Sequence, residues 1–171
     1  MRGNIQIREA RPEEAEVLAA AQRRIAAVPG RLASTPAEIH DDAVRERIAR
    51  LQGGARGKFL VATQGEEIVA HALVDPLKLH VTSHVVDLTM VVHEGWGGQG
   101  LGTALLAALI GWARAHPHVE RIELRVRSSN APAIALYRKM GFAEEGRMVK
   151  RIKLASDLYV DDLVMGLWVG D

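Results

Sequence analysis

The chain has 171 residues, enough for one domain of ordinary size and leaving little room for a second. Its hydrophobic share of 48%, charged share of 25% and formal net charge of +1 are those of a soluble globular protein, and they provide no field that would recruit nucleic acid or a membrane surface. No cysteine is present, which excludes disulfides, thiolate metal sites and a cysteine nucleophile and fits a reducing compartment.

The N-terminal MRGNIQIREA lacks the apolar core of a signal peptide, so cytoplasm is the expected location. Within it, residues 5–9 (IQIRE) predict a first strand, and Pro12 followed by Glu13 and Glu14 predicts a helix that runs to Ala27. Residues 28–36 form a loop by their Pro, Gly and Ser content, and a second helix is expected over Ala37–Leu51. KFLVAT and EEIVAHALV, joined by Gln64 and Gly65, read as an antiparallel hairpin, and residues 85–92 (VVDLTMVV) as a third β-rich run. After a glycine-rich loop, an Ala/Leu-rich helix spans 102–116 and stops at Pro117; RIELRV is a strand, APAIALYRKM a short helix, and Val149–Leu154 and Tyr159–Trp168 are strand-like. The sum is a mixed α/β domain, a central sheet with helices on both faces.

The stretch GWGGQGLG places five glycines within eight residues, Gly95 to Gly102, between a strand and a helix. Free N–H groups at a helix start, the positive end of the helix dipole and bare backbone together favour a phosphate. A nucleoside-triphosphate loop would need Lys and then Ser or Thr after its last glycine, but Gly102 is followed by Thr103 and Ala104. A dinucleotide loop fits weakly, because Thr103 replaces the third small residue and RIELRV ends in Val126 and Arg127 instead of an acid. A plain strand-to-helix turn is the remaining reading, although such a turn rarely needs five glycines.

A second stretch, Asn130 to Phe142, completes the pattern N-x-x-A-x-x-L-Y-x-x-x-G-F in Asn130, Ala133, Leu136, Tyr137, Gly141 and Phe142. Together with GGQGLGTALL it resembles the GNAT superfamily of acetyl-CoA-dependent N-acyltransferases, whose loop motif reads Arg/Gln-x-x-Gly-x-Gly/Ala; here Gly97 stands at the first position while Gly98, Gly100 and Gly102 match. The resemblance implies a single domain over residues 1–171 with a twisted, mostly antiparallel sheet of about seven strands. It also implies that VVDLTMVV splays from RIELRV and that acetyl-CoA lies in the gap. Met90, Val91 and Val92 would then face the pantetheine arm, and Gly97, Gly98, Gln99, Gly100, Leu101, Gly102 and Thr103 the pyrophosphate, with Asn130, Ala133 and Tyr137 also near the coenzyme. The acceptor implied is a primary amine on a small molecule, a protein N-terminus or a lysine, and a homodimer is common among such proteins.

Transfer to an amine needs a base, a donor for the developing oxyanion and an acid for the departing thiolate. Tyr137 is the acid by resemblance; the competing reading is that Ala133, Leu136, Tyr137 and Met140 form one apolar helix face. Asn130 reads first as a helix cap, with Ser129 competing for that place, and only by resemblance as a residue near the coenzyme. Asp87 is the candidate base, since an acid in a Val-rich run must face a cleft or lie at a solvated edge. Asp161 and Asp162 fall on opposite faces of their strand, so one at most faces a cleft, and either reads also as surface charge.

The histidines show no metal-site spacing: His80 and His84 would lie about 13 Å apart on a strand, and His116 and His118 flank a proline. The run RMVKRIK reads either as a phosphate-binding patch or, as four basic residues on a strand more often do, as a solvated sheet edge, and is left unassigned. The sequence therefore points to an acetyl-CoA-dependent N-acetyltransferase working by direct attack in a ternary complex. A non-catalytic acyl-CoA sensor and a nucleotide-binding oxidoreductase are the alternatives.

Overall fold

In a computed structural model, which describes residues 4–171, seven strands form one sheet in the order β1-β2-β3-β4-β5-β7-β6. Met1 to Gly3, the first residues of the expected domain, lie outside the described residues. The strands are β1 (Ile5–Glu9), β2 (Lys58–Gln64), β3 (Glu67–Pro76), β4 (Val85–Val92), β5 (Arg121–Arg127), β6 (Ala143–Ala155) and β7 (Leu158–Trp168). The helices are α1 (Ala15–Ala26), α2 (Asp41–Arg50), α3 (Leu101–Ala115) and α4 (Ala131–Lys139). Every ladder is antiparallel except β4 with β5.

β3 is buried along nearly its whole length because both faces of the sheet are covered. On one face Leu105, Leu106 and Leu109 of α3 and Ile134 of α4 pack with Val86, Leu88, Ile122 and Leu124. Fully burying each such leucine contributes ~1.5–3 kcal/mol. On the other, Leu18 of α1 and Val44 and Ile48 of α2 pack on Phe59, Val61 and Leu73. Strand alternation therefore assigns Val86 and Leu88 to the α3 face and Asp87 and Thr89 to the α1–α2 face.

Three expected boundaries shift. The helix expected from Pro12 begins as one 3₁₀ turn, Pro12–Glu14, where the Glu14 carboxylate accepts from the Arg11 N–H, and turns α-helical only at Ala15. The helix expected over Ala37–Leu51 is interrupted: Pro36–Glu38 is a 3₁₀ turn, Ile39 is extended and buried, and α2 starts at Asp41 after extended His40. Burying Ile39 against α1 outweighs helix continuity there. The strand expected over Val149–Leu154 is the C-terminal half of the longer edge strand β6, whose Lys150 has a positive φ. His80 starts a 3₁₀ turn, so His80 and His84 do not share a strand.

The Asn130–Phe142 motif has a plain mechanical basis. Pro132 sits in the first turn of α4, and Gly141, at φ +98°, ends the helix in the left-handed region. The N–H of Phe142 then donates to the carbonyl of Tyr137 (3.0 Å) and that of Gly141 to Arg138 (3.1 Å), the pairing of a Schellman stop. The turn brings the Phe142 ring edge-on to Tyr137, centroids 5.8 Å apart, and locks the tyrosine.

Candidate active site

β4 pairs with β3 from Val86 to Val92, but with β5 only over Val85, Val86 and Asp87, opposite Arg121, Ile122 and Glu123. Past Asp87 the two strands part. The β5-facing backbone of Leu88 to Val92 is left without a strand partner, and the opening continues into a cavity of about 790 Å³.

The cavity is walled by Met90, Val91, Val92, Gly97, Gly98, Gly100, Leu101, Gly102, Thr103, Asn130, Ala133, Tyr137 and Asp87, thus by all but one of the expected site residues. The exception is Gln99, which is exposed and does not line it.

At the glycine loop, Gly98 and Gly100 have φ of +72° and +78°, and a Cβ built on Gly97, Gly98 or Gly100 would meet nothing within 4 Å. The first turn of α3 therefore opens onto free space, with its unpaired N–H groups and dipole end available to an anion. Gly102 differs, and the expectation that its missing side chain makes room for phosphate is corrected. A Cβ there would stand 2.7 Å from Leu136 Cδ2 and 3.3 Å from Met90 Cε, so this glycine lets α3 approach α4 and β4.

Asn130 precedes α4, and its carbonyl accepts from the Ile134 N–H, but its side chain makes no cap hydrogen bond. The side-chain cap is therefore not formed: Asn130 Oδ1 is buried without a partner, in the wall of the cavity. Tyr137, 7% exposed, belongs to the apolar core as the helix-face reading expects and also lines the cavity. Burial pushes its phenol up to about 12, against a smaller opposing pull from Arg127, so it stays protonated near neutral pH.

Asp87 stands at the fork, half-buried. Burial, and next the charge of Glu123, push its carboxyl up to about 6, while Arg125 pulls the other way. It has no cationic partner within ion-pair distance among the described residues, whereas its β3 neighbour Asp75 is held by Arg47 (2.8 Å) and Arg50 (3.0 Å).

Sequence reasoning left both C-terminal aspartates open, and the structure separates them. Asp161 bonds the Lys150 N–H and Arg147 at the protein surface. Asp162 is 3% exposed and faces the cavity, 3.4 Å from Arg127 Nε and 3.8 Å from Arg151 Nε. Sequence reasoning missed Arg125 and Arg127; the alternation in RIELRVR carried the signal, since it sets Glu123, Arg125 and Arg127 on the face opposite Ile122, Leu124 and Val126. Arg151, from the basic run RMVKRIK, also reaches the cavity. Among the described residues no group of three or more His, Cys, Asp or Glu could hold a metal ion.

The profile of the acetyltransferase (GNAT) family matches residues 26–142, which take in the β4–β5 fork, the glycine loop and all of the Asn130–Phe142 motif. The L-amino acid N-acetyltransferase AaaT of Escherichia coli (strain K12) is 37% identical over 108 residues, 63% of this chain and 66% of that protein, so the chain spans a little under two thirds of that relative. An acetyltransferase of the GNAT family from Streptococcus pneumoniae superposes with a TM-score of 0.88 at 24% identity, covering 96% of this chain and 99% of that one. A phosphinothricin acetyltransferase from Sinorhizobium meliloti, solved in complex with AcCoA, gives 0.85 at 18% identity, covering 99% and 90%. At these identities the two structures speak for the fold, a mixed and mostly antiparallel seven-stranded sheet, and the profile for the lineage: the chain belongs to the acetyltransferase (GNAT) family.

Proposed function

We propose that this protein is an N-acetyltransferase that moves an acetyl group from acetyl-CoA to a primary amine by direct attack in a ternary complex, all 171 residues forming one domain. The observation that carries the reading is the fork itself: β4 and β5 part at Asp87, a glycine loop opens α3 at one end of the gap, and Tyr137 lines the same cavity. The S. meliloti acetyltransferase of the same fold binds AcCoA, and the residues here suit that group. Amides of the first turn of α3 would take the pyrophosphate, the unpaired β4 backbone from Leu88 to Val92 the pantetheine amides, and Asn130 Oδ1 a donor it now lacks.

Bound acetyl-CoA supplies an activated thioester. The chain's own residues supply the proton handling. Asp87, with its proton affinity raised to near neutrality, accepts a proton from the incoming ammonium, directly or through a water, and so yields the neutral nucleophile. A backbone N–H of the unpaired β4 edge is the donor for the developing oxyanion. Tyr137, protonated at working pH, donates to the departing sulfur, and the second proton that the nitrogen sheds on becoming an amide passes through solvent to restore the phenol, while Asp87 returns its own to solvent.

The acceptor is a small-molecule amine, a protein N-terminus or a lysine; the E. coli relative's name specifies L-amino acids, which favours the first. No helix among the described residues is long and apolar enough to cross a membrane, and the absence of cysteine fits the cytoplasmic site of action we propose. The test is CoA release from acetyl-CoA across an amine library. Turnover with at least one amine is expected. Acetyl-CoA binding without turnover would favour the sensor, and stabilisation on melting by NADH instead of acetyl-CoA would favour the oxidoreductase.

A further inference from the structure

Five arginines line the cavity, Arg31, Arg47, Arg125, Arg127 and Arg151, against two carboxylates, Asp87 and Asp162. They lie away from the glycine loop: Arg125 and Arg127 project from the α1–α2 face of β5, Arg47 comes from α2, Arg31 from the α1–α2 connection and Arg151 from the edge strand. The phosphate-binding end of the site therefore does not account for them.

Most of this charge is already matched. Arg47 is paired with Asp75, and Arg127 and Arg151 both neighbour Asp162. Arg31 and Arg125 have no carboxylate partner among the described residues, and of the two only Arg125 stands on β5, the strand of the paired Arg121 and Arg127. Its place is specific. Glu123 is the cross-strand partner of Asp87, and Arg125 follows Glu123 by two residues on the same face, so Arg125 stands just beyond the point where the strands part, across the gap from Asp87. A short carboxylate and a long guanidinium extending into one cavity across that span leave room for a molecule with an amine at one end and an anion a few bonds away.

Resting on the acetyl-transfer reading, we infer that Arg125 is the receptor for a carboxylate on the acceptor, so that the acceptor is a free amino acid and not a protein amine. The planar guanidinium takes a carboxylate through two parallel N–H donors, which fixes the orientation as well as the charge of the ligand. With the carboxylate held at Arg125, the ammonium of an α-amino acid is directed toward Asp87 at the fork. A protein N-terminus or a lysine side chain presents no carboxylate at that distance and leaves the guanidinium unmatched.

The test compares the best-used member of a panel of L-amino acids with its α-carboxamide, in the unaltered enzyme and in Arg125→Gln and Arg125→Lys. The unaltered enzyme should prefer the acid by about 10²-fold or more in kcat/KM, since an unmatched guanidinium forfeits a charged hydrogen-bonded pair. At a pH well above the acid limb of Asp87, which loses an opposing positive charge in this variant, Arg125→Gln should raise KM for the acid at least tenfold more than KM for the carboxamide, with Arg125→Lys intermediate. Equal use of acid and carboxamide by the unaltered enzyme, or equal losses on both in Arg125→Gln, would overturn the inference. Turnover of tyramine or an N-terminal peptide with no amino acid used would overturn it too, while leaving acetyl transfer standing. If no amine is turned over although acetyl-CoA binds, the transferase reading fails by itself. The carboxylate site is then decided by melting in the presence of CoA: an N-acetyl-amino acid should stabilise the unaltered protein and not Arg125→Gln, and failure to stabilise either sinks it.

Discussion

Asp87 and Glu123 are the last Cα partners of the parallel β4–β5 ladder, and their side chains share the α1–α2 face of the sheet at the point where the strands part. Two acids in register repel, and Glu123 does so from outside the cavity wall that Asp87 helps to form. Since Asp87 must be ionised to accept a proton, kcat/KM should fall as pH drops through about 6. Removing the neighbouring negative charge in Glu123→Gln makes ionisation easier, so this acid limb should move to lower pH by ~0.5–1 unit, while Glu123→Asp should leave it in place. A pH profile of kcat/KM for the three proteins checks this, and an unmoved limb in Glu123→Gln would assign the raised proton affinity of Asp87 to burial and to Asp75 across the ladder.

The same carboxyl carries a stability cost with a definite sign. Its proton affinity is higher folded than unfolded, so the native state loses stability as pH rises through about 6 and the charge appears in a partly dry site. Asp87→Asn removes that charge. At pH 8 it should melt higher than the parent by about 1–2 kcal/mol, discounted for partial exposure, while losing ~10²–10⁴ in kcat. Equal melting at pH 8 and pH 5 relative to the parent would show that Asp87 is solvated.

The glycines separate into two kinds. Gly100 has a positive φ with open space above it, and Gly102 has a helical backbone with Leu136 and Met90 crowded against it. Gly100→Ala should cost ~1–2 kcal/mol in backbone strain and at least tenfold in acetyl-CoA affinity, because the strained turn aims the first amides of α3. Gly102→Ala should lower stability by ~1–3 kcal/mol through overpacking, with a smaller change in affinity. Calorimetric Kd values beside melting temperatures distinguish the two; the reverse pattern would return Gly102 to the phosphate.

Much of this was legible before any coordinates, because the decisive features are local. Gly141 must take a left-handed backbone, Pro132 sits in the first turn of α4, and Leu105, Leu106 and Leu109 bury one side of α3. What failed was non-local. Nothing near Ile39 announces that it is buried against α1, so the break between Pro36–Glu38 and α2 went unseen. The inward turn of Asp162 depends on Arg127 of another strand. Histidine spacing along the chain hid the pair that meets in space, His71 and His93; the available signal was His71 in the middle of an apolar run, where an ionisable ring must find partners across the sheet.

Tyr137→Phe isolates chemistry from packing. The ring keeps its edge contact with Phe142 and its place in the helix stop, and among the described residues nothing hydrogen-bonds its hydroxyl. Stability should therefore change by less than ~1 kcal/mol. A loss on the order of 10² in kcat at saturating acetyl-CoA and amine is expected, since a thiol of pKa near ~8.5 already departs fairly well. A rate within about threefold of the parent would leave the thiolate to depart unaided or through water and return Tyr137 to the core.

The buried histidines should make the protein acid-sensitive, and the reason lies in which nitrogen carries each proton. His93 Nδ1 is 2.9 Å from the Ile68 carbonyl, which can only accept, so this nitrogen bears the hydrogen. In the neutral ring Nε2 then accepts from His71 Nδ1, at 2.9 Å, and His71 Nε2 in turn accepts from the Gln22 amide nitrogen, at 3.1 Å. The neutral chain is satisfied from end to end. A proton added to His71 would oppose N–H to N–H at Gln22, inside a site stacked on Phe59 with no access to water. Burial, and then His93, accordingly hold His71 down at about 3. The unfolded ring titrates near 6.5, so the stability from keeping it neutral is fully present above that pH and is lost as pH falls, by about 2 kcal/mol between pH 8 and pH 5. Asp87 acts with the opposite sign over part of the same range, so the difference between variants is informative and the bare slope is not. His71→Gln should melt lower than the parent at pH 8 and lose less stability between pH 8 and pH 5. Parallel pH dependences for the two proteins would mean that His71 accepts its proton in the folded state as readily as in the unfolded one.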